Sequence, residues 1–178
     1  MIRQKPLEQV IGVVLVGLTL VGCSASPVTP TPAFRTGTAV ASGHWEITVL
    51  DSYKKESLSG ILGDARPKDE DSTFLVVETQ VHDLDKSGKI RLSRTDAVIF
   101  DENGEAIDSF CMGSSVSSAN GVGTTESFFP PPFDGDLTVE ESEVTVLYVF
   151  IVERDDIGQT FNFQFRDMPL IAFSVYYE

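Results

Sequence analysis

The chain has 178 residues, 42% hydrophobic and 10% aromatic, enough to build a packed core and too much for a disordered chain. Its 27 acidic and 13 basic side chains give a formal net charge of −14, which argues against nucleic acid, because phosphate binding needs clustered Lys and Arg. Two Cys and two His exclude a disulfide-stapled scaffold and the Cys-rich zinc modules, and they leave little for metal chemistry.

Arg3 and Lys5 form a short basic region ahead of an apolar stretch from Val10 to Val21. That stretch falls short of the about 20 helical residues a membrane span needs, and it fits the hydrophobic segment of an export signal. At its end stands Leu20-Val21-Gly22-Cys23. This run resembles the lipobox of bacterial lipoproteins. The resemblance implies that residues 1–22 are removed and that the Cys23 thiol receives a diacylglyceryl group, so membrane lipid is the first partner expected. It places the chain on a cell membrane or outer membrane, facing the periplasm or the exterior. One acyl chain holds only marginally at about 0.8 kcal/mol per buried CH₂, whereas two or three hold stably. Without residues 1–22 the chain carries a net −15. An anionic bilayer repels such a domain, so the lipid must supply the affinity.

From Ser24 to Ser42 the chain is rich in Ser, Thr, Pro, Ala and Gly, with Pro27, Pro30 and Pro32 and no apolar periodicity. Residues 23–42 therefore read as the lipidated Cys and a disordered tether. Extended, the tether reaches roughly 60 Å.

Residues 43–178 read as strands. Trp45, Ile47 and Val49 alternate on one face, as do Leu75, Val77, Thr79 and Val81. Ala97 to Phe100 runs into Asp101-Glu102-Asn103-Gly104, where Asn-Gly predicts a hairpin turn. Val144 to Val152 is apolar at eight of nine positions, the mark of a strand buried on both faces. Phe161, Phe163 and Phe165 alternate, and so do Ile171, Phe173 and Val175. Sustained helical periodicity with capping signals is missing. About seven short strands with turns between them predict an all-β, antiparallel β-sandwich.

The lipobox, the tether, the Trp45 strand, Phe74-Leu75-Val76-Val77-Glu78-Thr79-Gln80-Val81 and Ala97-Val98-Ile99-Phe100-Asp101-Glu102-Asn103-Gly104 together resemble a known group. These are the bacterial lipoproteins with an immunoglobulin-like domain of unknown function, grouped with the mycobacterial immunoprotective extracellular antigens. The resemblance implies an immunoglobulin-like fold and a location, and it transfers no catalytic residue.

Motifs for chemistry are sparse. The sequence has no G-x-S-x-G elbow, no H-E-x-x-H and no P-loop, and His44 and His82 come with no supporting motif, so no catalytic residue, metal or cofactor is expected. Cys111, between Phe110 and Met112, is expected to be a buried thiol. Asp83, Asp85, Ser87 and Gly88 mimic the first half of a calcium loop, but Arg94 stands where a bidentate carboxylate is needed. Lys86, Lys89 and Arg91 add positive charge there, so Asp83 to Arg94 is expected to be a hairpin connection without calcium.

Two features point to binding. Residues 101–178 hold 15 acidic residues against Arg154 and Arg166, while Lys86, Lys89, Arg91 and Arg94 sit in the other half. Such polarity steers a cationic partner. Gly113 to Ser127 reads as a long Gly/Ser-rich loop running into Phe128-Phe129-Pro130-Pro131-Pro132-Phe133. Phe128, Phe129 and Phe133 are candidates for a rigid exposed anchor on a protein partner. The function expected is a non-catalytic, lipid-anchored interaction or binding module of the cell envelope. The alternative is a small-ligand or cation sensor, or an accessory subunit of an envelope complex. Oligomeric state is left open.

Overall fold

A computed structural model describes residues 34–60, 63–117, 124–129, 136–154 and 160–175. The strands in chain order are β1 (Phe34–Arg35), β2 (Val40–Ser42), β3 (Trp45–Lys55), β4 (Leu58–Gly60), β5 (Gly63–Ala65), β6 (Ser72–Asp83), β7 (Ile90–Leu92), β8 (Ala97–Phe100) and β9 (Ala106–Asp108). They continue with β10 (Cys111–Ser117), β11 (Thr124–Phe129), β12 (Leu137–Val139), β13 (Glu143–Glu153), β14 (Thr160–Phe165) and β15 (Ile171–Ser174). One 3₁₀ turn, Arg94–Asp96, precedes β8, and Ser93 and Asp96 cap it reciprocally.

Two sheets form an all-β sandwich, as the alternation predicts. The smaller has the order β1-β15-β14-β8-β9, the larger β2-β3-β6-β13-β10-β11-β4-β5. Between them lies the main core. The larger sheet contributes Ile47, Val49, Leu75, Val77, Val81, Val146, Tyr148 and Phe150, and the smaller contributes Ile99, Phe161, Phe163, Phe165, Ile171 and Phe173. The period-2 residues therefore face inward. At about 25 cal/mol per Å² of apolar surface, each such side chain contributes about 1.5–3 kcal/mol. The Asn-Gly hairpin forms, pairing β8 with β9. Of the two turn residues only Gly104 takes positive φ, at 79°, and the Asp101 carboxylate secures the loop by accepting from the backbone N–H groups of Asn103 and Glu105.

Three expectations need correction. The folded domain takes in residues 34–42, assigned from sequence to the tether. Phe34 pairs with Ile171, and Val40, buried in the main core, pairs with Ile47. Single apolar residues between Gly, Thr and Ser give no periodicity, yet each finds a strand edge. Asp83 to Arg94 is a crossover rather than a hairpin, because β7 pairs with β12 and not with β6. Ile90 and Leu92 are both fully buried and plug the core, which draws the segment away from β6. Gly113 to Ser127, read as a loop, is largely an antiparallel hairpin of β10 and β11 that reaches from Met112↔Phe129 to Ser117↔Thr124. Backbone pairing overrides the weak strand propensity of Gly and Ser.

The larger sheet also curls. β3 and β4 stand five positions apart in its order, which in a flat sheet means roughly 24 Å. Yet only Glu56 and Ser57 join them, a reach of about 11 Å over three Cα steps. The sheet therefore bends around its second face and encloses a second core of Leu58, Phe74, Val76, Cys111, Phe128, Leu147 and Val149. Val144 to Val152 is buried on both faces for this reason: Val146, Tyr148 and Phe150 serve one core, Leu147 and Val149 the other.

The strand ends define two poles. The chain enters beside the 166–170 turn, since Phe34 aligns with Ile171, and the turns at Gly43-His44 and Leu84-Asp85 lie at the same tether pole. The far pole holds the 101–105 loop and the ends of β6 and β13 at Ser72 and Glu153.

Candidate functional site

The anchor candidates divide. Phe128 is a core residue at 2% exposure, so it is not a surface anchor; its ring lies over Gly113, the residue it pairs with. The side chain at 128 points to the enclosed face of the curl because the β10–β11 register places it there. Phe129 is half-buried on the opposite face. Phe133 and Cys23 lie outside the described residues.

At the tether pole the former calcium candidate is spent internally. Asp83 is buried, and its carboxylate accepts from Asp85 N–H at 3.1 Å, Ser87 N–H at 2.9 Å and the Ser87 hydroxyl. The Ser87 hydroxyl bond, then the backbone bonds and nearby His44, hold its pKa below the ordinary aspartate value despite burial. Lys86 and Gly88 turn through positive φ to wrap this carboxylate. Among the described residues no group of three or more His, Cys, Asp or Glu is placed to hold a metal ion.

The basic stretch is dispersed. Arg91 donates to Asp136, and Arg94 donates to the Ser109 carbonyl at 3.2 Å. Arg166 pairs with Asp96 at 2.9 Å while its guanidinium lies 4.7 Å from the Trp45 ring centroid, a cation–π contact. His82 approaches Glu46 at 3.5 Å, and the His44 ring lies beside Trp45. Cys111 is buried, and burial pushes its thiol up to about 12, which opposes thiolate chemistry.

Two open grooves lie at the far pole. One, of about 740 Å³, runs between the 66–72 segment and Arg154, and Arg66 and Lys68 share it with Asp69, Glu70 and Asp71. The other, of about 470 Å³, has Asp101, Glu102, Glu105 and Glu153 on its rim and Ile107, Ile151 and Phe161 in its floor. Ile151 is 37% exposed, as Leu50 and Leu84 are to a similar degree elsewhere. The acidic bias of residues 101–178 is legible in the sequence, but not the convergence of Asp101, Glu102, Glu105 and Glu153 on one groove.

Against known proteins, no family model matches the chain, and no curated protein matches it. Solved structures similar to it include an uncharacterized β-sandwich protein from Clostridium difficile 630, 12% identical, covering 83% of this chain and 98% of that one with a TM-score of 0.49. The yjhA protein from Bacillus subtilis is 14% identical over 82% of this chain and 99% of that one, with a TM-score of 0.48. A conserved hypothetical protein from Bacillus anthracis is 12% identical over 77% and 94%, with a TM-score of 0.45. The sandwich assignment rests on the sheet order of this chain itself.

One cluster gave no sequence signal. Across the mouth of the curled sheet the Tyr53 hydroxyl donates to Glu126 Oε1, and Lys55 Nζ meets Glu126 Oε2 at 2.5 Å. Lys55 Nζ also lies 5.6 Å from the Tyr53 ring centroid and 5.8 Å from that of Phe128. Beside it, Glu78 stands opposite Asp51. Burial first, then the charges of Asp51 and Glu126, raise the Glu78 pKa above its ordinary 4.5. A carboxyl that holds its proton more tightly when folded opposes folding once pH exceeds the unfolded value, and ceases to do so as pH falls back below it. Glu78→Gln is therefore expected to raise the melting temperature by about a degree or two at pH 7 and to leave it unchanged near pH 4. Thermal melts at the two pH values check both halves of this expectation.

Proposed function

We propose that this chain is a lipid-anchored, extracytoplasmic module of the bacterial cell envelope that binds a protein partner and performs no catalysis. Its anchor is the acylated Cys23, and its domain is immunoglobulin-like, akin to the mycobacterial immunoprotective extracellular antigens. The observation that carries the binding reading is the opposition of the poles. The chain enters at one end of the sandwich, where Lys89, Arg91 and Arg166 line a groove of about 450 Å³, and the groove with the acidic rim lies at the other end. An anchor ahead of Phe34 therefore leaves the groove of Asp101, Glu102, Glu105 and Glu153 turned outward, with an acidic rim that favours a cationic partner surface. The Leu20-Val21-Gly22-Cys23 run supports the anchor.

Fatty-acid labelling tests the anchor: label on the wild type and none on Cys23→Ala is expected, and an unlabelled mature wild type overturns it. A photo-crosslinker at Glu102 in intact envelope tests the pole. A protein adduct from Glu102 and none from Lys86 is expected. The reverse pattern overturns the outward orientation.

A further inference from the structure

We infer that Tyr53, Lys55 and Glu126 form a clasp on a flap, and that releasing it opens the second core without unfolding the sandwich.

The flap is the end of the larger sheet, β11, β4 and β5. Its attachment is uneven. β11 pairs with β10 over six positions, but β4 meets β11 through a single register pair, Phe128↔Gly60, and β5 pairs only with β4. Leu58 and Phe128 seat the flap against Phe74, Val76, Cys111, Leu147 and Val149. By contrast, β6 and β13 pair continuously over eleven positions, from Glu143↔His82 to Glu153↔Ser72. Segments with few ladder bonds open at lower free energy than the strands they lean on.

What ties the flap across the mouth is one carboxylate. Glu126 on β11 takes the Tyr53 hydroxyl on one oxygen and the Lys55 ammonium on the other, and both partners come from β3. β3 and β11 are four positions apart in the sheet, so this bridge spans the curl rather than following it. The Lys55 ammonium over the Tyr53 and Phe128 rings screens the apolar interior from solvent. Asp51 and Glu78 on the neighbouring strands add like charge to Glu126, and Lys55 is the cation that offsets it. Removing either clasp partner therefore tips the flap outward.

Cys111 is a built-in reporter, since its thiol lies inside the sealed space at 1% exposure. The test is thiol labelling of the full chain, read at the Cys111-containing peptide by mass spectrometry so that Cys23 does not interfere. In the wild type the rate is expected to depend only shallowly on urea, as for a local opening that exposes little surface. Glu126→Gln and Tyr53→Phe are each expected to raise the rate about tenfold, the loss of one charge-assisted bond. Tyr53→Phe keeps the ring packing, so it reads the bond alone. Two results overturn the inference: a urea dependence as steep as that of global unfolding, or rates in both variants equal to the wild type.

Discussion

Phe128→Ala is expected to destabilise the domain by about 3–5 kcal/mol, the cost of deleting a large aromatic side chain from a sealed core. The ring packs with Leu58, Phe74, Val76, Cys111, Leu147 and Val149, and few of these can move inward because they sit on paired strands. Such a loss lowers the melting temperature by about 10 °C or more in a domain of this size. Urea or thermal denaturation measures it. An exposed anchor at the same position predicts the opposite, near-neutral stability, so the experiment separates the two readings of this residue.

Gly113→Ala is expected to cost about 1–3 kcal/mol even though it adds one methyl group. A Cβ at 113 would lie 2.7 Å from Phe128 Cδ1 and 2.7 Å from the Ser127 carbonyl oxygen. The ring can rotate by itself, but the carbonyl belongs to the β10–β11 ladder, which must move with it. The variant should also label faster at Cys111, two residues away on the same strand. Stability equal to wild type in equilibrium denaturation would show that β11 lies further from β10 than the register places it.

How much of this was legible in the sequence depends on the range of the interaction. Phe161, Phe163 and Phe165, and the doubly buried run from Val144, declare themselves through period-2 patterning, which needs no knowledge of the partner strand. The curl declares itself nowhere. It follows from β11 pairing with β4, and Phe128 and Gly60 are far apart in the chain with no pattern joining them. The β10–β11 register decides which face Phe128 takes, so its neighbours Pro130 to Pro132 suggest exposure while the register buries it. The clasp is equally silent: Tyr53 and Glu126 meet across 73 residues, and neither has a motif around it. Asp83 shows the reverse case, where a real loop signal was legible but its ligand proved to be the loop's own N–H and hydroxyl groups.

The two-residue strand at the entry to the domain has a mechanical consequence. Load carried through the chain ahead of Phe34 falls first on β1, whose ladder with β15 covers only Phe34↔Ile171 and Arg35↔Ala172. The next holds are the Thr36 and Gly37 N–H bonds to the Ala172 and Val49 carbonyls, and then the buried Val40. Peeling Phe34 to Ala39 adds roughly 20 Å of reach at about 3.3 Å per residue, while β3 and the core behind it stay paired. The domain thus carries a short extensible leader that yields before the sandwich does.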